Sequence, residues 1–276
     1  MNNLLLRCAT GIVFLVLMVA GMVFHPAAFT LLFLVVLYFS LSEFLHITMG
    51  DRWQVQQRLA IFAAVLLYLL VTAHRFYGLD LNWLAVVLVP VLLIPLSVIL
   101  SPSHDDVEAN AFSYAALPYV TLPFCLMPVI VSGGGEFRGY LLLNFFIIIW
   151  CADIGSYCFG TLFGQRPDSR KLAPSISPKK SWWGFWGGIA TASGASVLLF
   201  AVGWMPYSLP HCLALGVLIS ASGVCGDLFE SVWKRRYGFK DSGKIIPGHG
   251  GMLDRFDSSL LAIPVAFVYL VLTGLL

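Results

Sequence analysis

The sequence predicts an all-α fold, a polytopic integral membrane bundle of about nine transmembrane helices. Of the 276 residues, 59% are hydrophobic and only 11% are charged, and the mean hydropathy is +0.87. The surface of a water-soluble domain requires far more charge than this. In addition, apolar runs long enough to cross about 30 Å of hydrocarbon recur along the whole chain.

Nine apolar segments are predicted to span the membrane. They lie at residues 4–24, 28–45, 59–77, 81–100, 112–131, 140–159, 185–204, 209–229 and 258–276. The first carries Arg7 before a long apolar run, as a signal peptide does, but its length and poor cleavage site indicate a retained span. The fifth carries Pro118, Pro123 and Pro128, and because proline removes a backbone hydrogen bond, we expect a bent or broken helix there.

The absence of internal repeats and low-complexity linkers predicts one membrane domain over residues 1–276. Within it, residues 1–140 are expected to form scaffold helices that face lipid and offer a surface for dimerisation. Residues 150–276 are expected to form the catalytic half. Its polar residues concentrate in two loops, at 160–185 and 230–257.

The distribution of basic residues predicts the orientation of the chain. With nine spans, every Lys and Arg except Arg75 and Arg138 falls on the side that holds the N-terminus and the loops after spans two, four, six and eight. The positive-inside rule makes that side the cytoplasm. The polar loops are therefore expected to face cytoplasmic nucleotides. A compact chain of 276 residues suits a bacterial inner membrane, and that is the expected location.

The stretch from residue 226 to residue 257 is the most polar part of the chain. If the helix before it continues past Gly226, then Asp227, Glu230, Ser231 and Lys234 fall on one helical face. Basic residues follow at 234–244, and a glycine-rich turn at 247–251 precedes two further aspartates. Carboxylates bind divalent cations and basic side chains bind phosphate, so the stretch predicts metal-assisted chemistry on phosphates.

This stretch resembles the signature of phosphatidate cytidylyltransferases (CDP-diacylglycerol synthases). The matching residues, with fitting spacing, are Ser231, Lys234-Arg235, Lys240-Asp241, His249-Gly250-Gly251, Asp254-Arg255 and Asp257. Trp233 departs from the pattern, where an aliphatic residue or Phe is usual, and this side chain is expected to pack rather than react. So long a match is far more specific than a single glycine motif.

A second stretch, residues 150–188, also resembles this family. Asp153 lies deep in span six, where a carboxylate requires a partner, and glycines at 155, 160 and 164 allow close helix packing. Ser177 to Ser181, with Lys179 and Lys180, is suited to a polyphosphate, although positive-inside placement explains the lysines equally well. The resemblance covers the C-terminal half, whereas the N-terminal half matches in hydropathy alone.

The resemblance implies transfer of a cytidylyl group from CTP to phosphatidate, which gives CDP-diacylglycerol and pyrophosphate. It implies Mg2+ as the cofactor, and a second cation, monovalent or divalent, is compatible with the site. The expected metal ligands are Asp227, Asp254 and Asp257. The other catalytic residues are expected to be Ser231, Lys234, Arg235, Asp241 and His249. The phosphate-binding or supporting residues are expected to be Asp153, Ser177, Lys179, Lys180, Lys240, Gly250, Gly251 and Arg255.

The expected partners are CTP, phosphatidate, the lipid bilayer and a second copy of the chain in a homodimer, but no nucleic acid. Two other functions remain open from the residues: a CTP-dependent polyprenol-type or phytol-type lipid kinase, and an ion-coupled transporter that relays ions through its acids. Glu43 and His46, near the end of span two, could line a polar cavity, but a position at the membrane interface explains them as well and is the favoured interpretation. The cysteines and histidines are scattered along the chain, so the sequence does not predict a zinc site.

Overall fold

A computed structural model describes residues 3–100, 107–246, 248 and 250–276 of the chain. The prediction of an all-α fold is confirmed over these residues, since almost all regular structure is helical. The helices are α1 Asn3–Val23, α2 Pro26–Met49, α3 Gln54–Tyr77, a 3-10 helix Leu81–Val87 that continues into α4 Leu88–Ile99, α5 Val107–Ala116, α6 Leu122–Val131, α7 Gly139–Leu162, α8 Trp182–Ala201, α9 Leu209–Arg236 and α10 Leu253–Leu272.

The prediction of a polytopic membrane protein is also confirmed. Within the described ranges, eight helical segments have the length and apolar composition to cross a membrane, and Thr10–Val23 of α1 is a shorter apolar helix. These segments fall at the positions of the nine predicted spans. Their length matches the roughly 30 Å of hydrocarbon that a helix must cross.

Several helix ends differ from the predicted bounds, and two of these differences concern the functional residues. Helix α9 continues to Arg236, beyond the predicted end at 229, and α10 begins at Leu253 rather than at 258. The prediction followed apolarity alone, whereas the polar ends of these helices are held by ion pairs and hydrogen bonds described below. As a result, Asp227, Ser231 and Lys234 lie on a helix, as the spacing argument required.

The irregularity predicted in the fifth span is present as a single π-helical turn. Residues Leu117–Thr121 form this turn between α5 and α6, and Pro118 lies at its beginning. Pro123 occupies the first turn of α6, and Pro128 lies inside that helix. A π turn is one of the established ways in which a helix accommodates a proline without ending.

By its internal contacts the chain divides into two compact units. Unit 1 comprises Met1–Gly139 and Tyr237–Phe256. Its helices α1, α2, α3 and α6 pack around buried aromatic rings that include Phe29, Phe33 and Phe124. Phe256, at the beginning of α10, packs on Phe124 with 5.8 Å between the ring centroids. The prediction of a single membrane domain stays a prediction.

Unit 2 comprises Tyr140–Arg236 and Asp257–Leu276. Helices α8 and α9 pack against each other, and a short antiparallel hairpin, β1 Lys171–Ala173 with β2 Ser177–Ser181, leads into α8. Ser181 caps α8 by accepting a hydrogen bond from the Gly184 N–H at 3.2 Å. The sequence analysis did not predict this hairpin, which holds the lysines of the second polar stretch in an extended strand.

Glycine brings α9 and the unit 2 part of α10 into close contact. A Cβ on Gly226 would lie 2.5 Å from the carbonyl oxygen of Asp257, closer than a real Cβ approaches. By contrast, a Cβ on Gly194, also in the interior of a helix, would have no atom within 4 Å. Close backbone approach at small residues is the usual basis of helix association in membranes.

We therefore expect Gly226→Ala to destabilise the protein by about 1–3 kcal/mol, the usual effect of overpacking. The apparent melting temperature in detergent measures this. The matched control is Gly194→Ala, which adds the same methyl group in open space and should leave the melting temperature unchanged or slightly raised. Equal melting temperatures for the two variants would show that the contact at Gly226 is not tight.

Candidate functional site

Helix α9 presents a polar face whose acids and bases bind one another. Glu230 and Lys234, four residues apart, form an ion pair, and both are buried, with 1% of the Glu230 side chain exposed. One turn earlier, the Ser231 hydroxyl donates to Oδ1 of Asp227 at 3.4 Å. The spacing predicted this face, although Glu230 was not among the predicted site residues. The spacing of Glu230 and Lys234, four residues apart, could have predicted this ion pair from the sequence.

The hairpin of unit 2 adds a second ion pair to this face. Lys180 Nζ lies 2.5 Å from Oδ2 of Asp227, and the two side chains are 23% and 35% exposed. Because successive residues of a strand point to opposite sides, Lys180 binds Asp227 while its neighbour Lys179 is exposed. The structure thus separates two lysines that the sequence analysis treated alike.

Asp257 adds a third aspartate to this region of unit 2. Its carboxylate interacts electrostatically with Asp227, Glu230 and Asp153. Its Oδ1 also accepts a hydrogen bond from the N–H of Ser258 at 2.6 Å. The absence of a side chain at Gly226 allows this approach of α10 to α9.

We call these residues of unit 2 the acid–base cluster. Its members are Asp153, Lys180, Asp227, Glu230, Lys234 and Asp257. Four carboxyl groups thus lie beside two lysines. Acids gathered at the ends of membrane helices interact strongly, because little water screens them. The arrangement is suited to attract a cation.

The acid–base cluster fits Mg2+ chemically but is not a preformed cage. Within the described ranges, no three His, Cys, Asp or Glu side chains are close enough together to hold a metal ion as they stand. Mg2+ does not require such a set, since it usually retains several waters and binds one or two carboxylates plus substrate phosphates. Asp227 and Asp257 supply oxygen ligands of the required type.

In unit 1, Asp254 binds the segment that leads to its own helix. We call the described residues 237–246, 248 and 250–252 the glycine-rich loop. Both carboxylate oxygens of Asp254 accept from the Ser242 N–H, at 3.1 and 2.9 Å, and Oδ2 also accepts from the Gly251 N–H at 2.9 Å. In return, the Asp254 N–H donates to the Ser242 hydroxyl at 3.2 Å. Asp254 therefore closes the loop onto the first turn of α10.

Gly250 meets a conformational requirement in this loop. Its φ is +86°, and a Cβ there would lie 2.8 Å from Oδ2 of Asp254. Its carbonyl accepts a hydrogen bond from the Ile246 N–H at 3.0 Å. Only glycine adopts this backbone conformation without strain while leaving room for the carboxylate.

Glu43 is a second residue of this region that the sequence analysis did not include among the site residues. Its carboxylate is 6% exposed and accepts three hydrogen bonds: from the Ser242 hydroxyl at 2.8 Å, from the Met252 N–H at 3.0 Å and from the Leu253 N–H at 2.8 Å. Glu43 is therefore buried against this loop, and the interpretation that places it at the membrane interface stays a prediction. The two N–H groups belong to the beginning of α10, where the helix dipole favours an anion. The sequence feature that could have identified Glu43 is its position, as an acid, inside an otherwise apolar helix.

The remaining predicted residues are mostly at the surface. Exposed side chains are found at Lys179, Arg235, Lys240, Asp241 and Arg255, whereas Ser177 is half-buried. His249 lies outside the described residues. The predicted roles of these residues in substrate binding stay predictions.

Comparison with known proteins identifies one family and several relatives. A family model described as "Cytidylyltransferase family" matches residues 5–273. A Staphylococcus epidermidis protein named phosphatidate cytidylyltransferase is 36% identical over 179 residues, which cover 62% of this chain and 65% of that protein. Proteins of the same name from Staphylococcus haemolyticus and Staphylococcus aureus are 38% and 37% identical, over 65% and 61% of this chain and 68% and 65% of their own lengths.

The aligned stretch thus spans slightly less than two thirds of the Staphylococcus epidermidis and Staphylococcus aureus proteins. The family resemblance predicted from the two polar stretches is confirmed. The family model also matches the N-terminal half, which the sequence analysis had related to the family through hydropathy alone. That half contains Glu43.

The buried ion pair of α9 generates a stability prediction. Lys234→Met removes the positive partner that the structure places on Glu230, so we expect the free energy of unfolding to fall by about 3–5 kcal/mol. The double variant Glu230→Gln/Lys234→Met removes the charge of both partners. Its free energy of unfolding should therefore be closer to that of the wild-type protein than to that of Lys234→Met. Melting temperatures of Lys234→Met, Glu230→Gln and the double variant in detergent test this. Strictly additive effects would show that the pair does not couple.

Proposed function

The chain belongs to the Cytidylyltransferase family, and we propose that it transfers the cytidylyl group of CTP to phosphatidate, giving CDP-diacylglycerol and pyrophosphate. The names of the staphylococcal relatives support this choice of substrates. The observation that carries the proposal is the acid–base cluster of unit 2, in which Lys180 binds Asp227 and Asp257 adds a further carboxylate. Both reactants are anions, so a site that joins them requires bound cations and mobile basic groups.

The reaction requires no nucleophilic side chain. An oxygen of the lipid phosphate attacks the α-phosphorus of CTP, the new P–O bond forms, and the bond from that phosphorus to the bridging oxygen breaks to release pyrophosphate. Lys180 and Lys234 neutralise phosphate charge, while Ser231 donates a hydrogen bond to a phosphate oxygen. Mg2+, when bound by Asp227 and Asp257, supplies positive charge that draws the two anions together. Positioning and charge neutralisation account for most of the catalysis in such transfers.

The Lys180–Asp227 ion pair has a particular role in this proposal. Without substrate, the ammonium group neutralises the aspartate. A nucleotide phosphate and a metal ion would compete for the two partners, so that the lysine exchanges a carboxylate for a phosphate oxygen. The ion pair therefore stabilises the Lys180 ammonium and the Asp227 carboxylate until substrate and metal bind. Neither charge is left without a partner at the end of a membrane helix.

The other predicted residues complete the proposal. Asp254 is proposed as a further metal ligand, and Asp153 and Asp241 as supporting acids. The phosphates are proposed to bind Ser177, Lys179, Arg235, Lys240, His249, Gly250, Gly251 and Arg255. We also propose that the protein works as a homodimer in a bacterial inner membrane, with these residues facing the cytoplasm.

Isotope transfer tests the reaction directly. Purified full-length protein in detergent, with Mg2+, phosphatidate and CTP labelled separately at the α- and γ-phosphates, should place the α-label in the lipid and release pyrophosphate. Asp257→Asn should lower kcat by at least about 100-fold, since it removes charge on which the transition state depends. Asp51→Asn, an exposed aspartate outside the cluster, is the matched control and should retain full activity.

The alternatives give different outcomes in the same assay. Transfer of the γ-label to a polyprenol or phytol supplied in parallel would identify a lipid kinase. No transfer of either label by folded protein would contradict both enzymatic assignments and favour ion transport.

Removal of the metal is a further test. EDTA should abolish transfer, and added Mg2+ should restore it. Asp227→Asn should raise the Mg2+ concentration at half-maximal rate by about 10-fold or more, because it removes a carboxylate ligand. Full activity in EDTA would contradict the metal assignment.

A further inference from the structure

Glu43 joins α2 to a segment that follows it by about 200 residues in the chain. Three hydrogen bonds make this connection, and each comes from a different donor in residues 242–253. Two of the donors are backbone N–H groups at the beginning of α10. Such groups have no partner within their own helix, so the carboxylate satisfies donors that would otherwise be left buried.

The glycines of this segment provide independent support. A side chain at Gly243 or at Gly251 would overlap the Glu43 carboxylate. The backbone therefore passes directly over the acid at two separate points. Two such close approaches on one carboxylate indicate that the loop is shaped around Glu43.

The network continues from Glu43 to Asp254. Ser242 donates its hydroxyl to Glu43, and its N–H donates to Asp254. Its hydroxyl oxygen accepts from the Asp254 N–H. Ser242 thus links the two carboxylates through its hydroxyl and its N–H.

We propose that Glu43 is a positioning residue for the transfer reaction: it fixes the glycine-rich loop and thereby orients Asp254, without contacting substrate itself. This inference rests on the proposed function. Residues that orient the ligands of a catalytic metal or phosphate site commonly change activity by about 10–100-fold when they are mutated. Glu43 holds the loop through a negative charge, since all three of its partners are donors.

The test uses the full-length protein with Glu43→Gln, which preserves size but replaces one acceptor oxygen with an amide donor. Hydrogen exchange followed by mass spectrometry should show the amides of Ser242, Gly251, Met252 and Leu253 exchanging about 10-fold faster or more. Peptides from α3 should be unchanged. The matched control, Glu108→Gln on the exposed first turn of α5, should leave every peptide unchanged.

Steady-state kinetics supply the second readout. A loss of alignment should lower kcat by about 10–100-fold, while KM for CTP changes by less than about threefold. Glu43→Asp, which retains the charge on a shorter side chain, should recover part of kcat. Ser242→Ala removes one of the three donors to Glu43 and should raise the exchange rates of the same amides by a smaller factor. This variant serves as the test if Glu43→Gln does not fold.

Three outcomes would overturn the proposal. They are unchanged exchange at these amides in Glu43→Gln, faster exchange throughout unit 1 with no selectivity for the loop, and an altered loop with unchanged kcat in an active enzyme. If the wild-type protein transfers no label, the proposed function fails, and with it the catalytic role of Glu43. The exchange data then still establish whether Glu43 holds the loop.

Discussion

Pairing of acids with donors at the ends of membrane helices is the constraint on which this structure depends. A carboxylate buried there loses the stabilisation that water provides and must obtain it from the protein. The chain meets this requirement in two ways. Glu230 and Asp227 each bind a lysine, whereas Glu43 binds backbone and hydroxyl donors at the beginning of a helix. The lengths of α9 and α10 follow from these contacts, since the polar ends of both helices are held by them.

The same constraint explains why the cluster suits chemistry on phosphates. Lys180 and Lys234 satisfy two acids of unit 2, but Asp257 adds a further charge next to Asp227 and Glu230. In the proposed function, a cation would bind to these acids and a phosphate anion would compete with them for the lysines. The cluster would then exchange its internal ion pairs for contacts with metal and substrate.

The sequence predicted what depends on local pattern. Apolar runs located the spans, and the spacing of Asp227, Ser231 and Lys234 predicted their common helical face. The hairpin that separates Lys179 from Lys180 was not predicted, because its strands are short and carry no hydrophobic alternation. Glu43 was missed for another reason. Its partners lie about 200 residues away, and no pattern within α2 reveals which distant segment will cover an acid.

The proposal that the acid–base cluster binds a divalent cation is tested most directly by measuring that binding. Mn2+ can be titrated into the purified protein and followed by electron paramagnetic resonance, without substrate turnover. The wild-type protein and Asp51→Asn should bind Mn2+ with the same affinity, whereas Asp227→Asn and Asp257→Asn should each weaken binding by about 10-fold or more. Equal Mn2+ affinity in all four proteins would contradict the account, because the acid–base cluster would then not be the cation site.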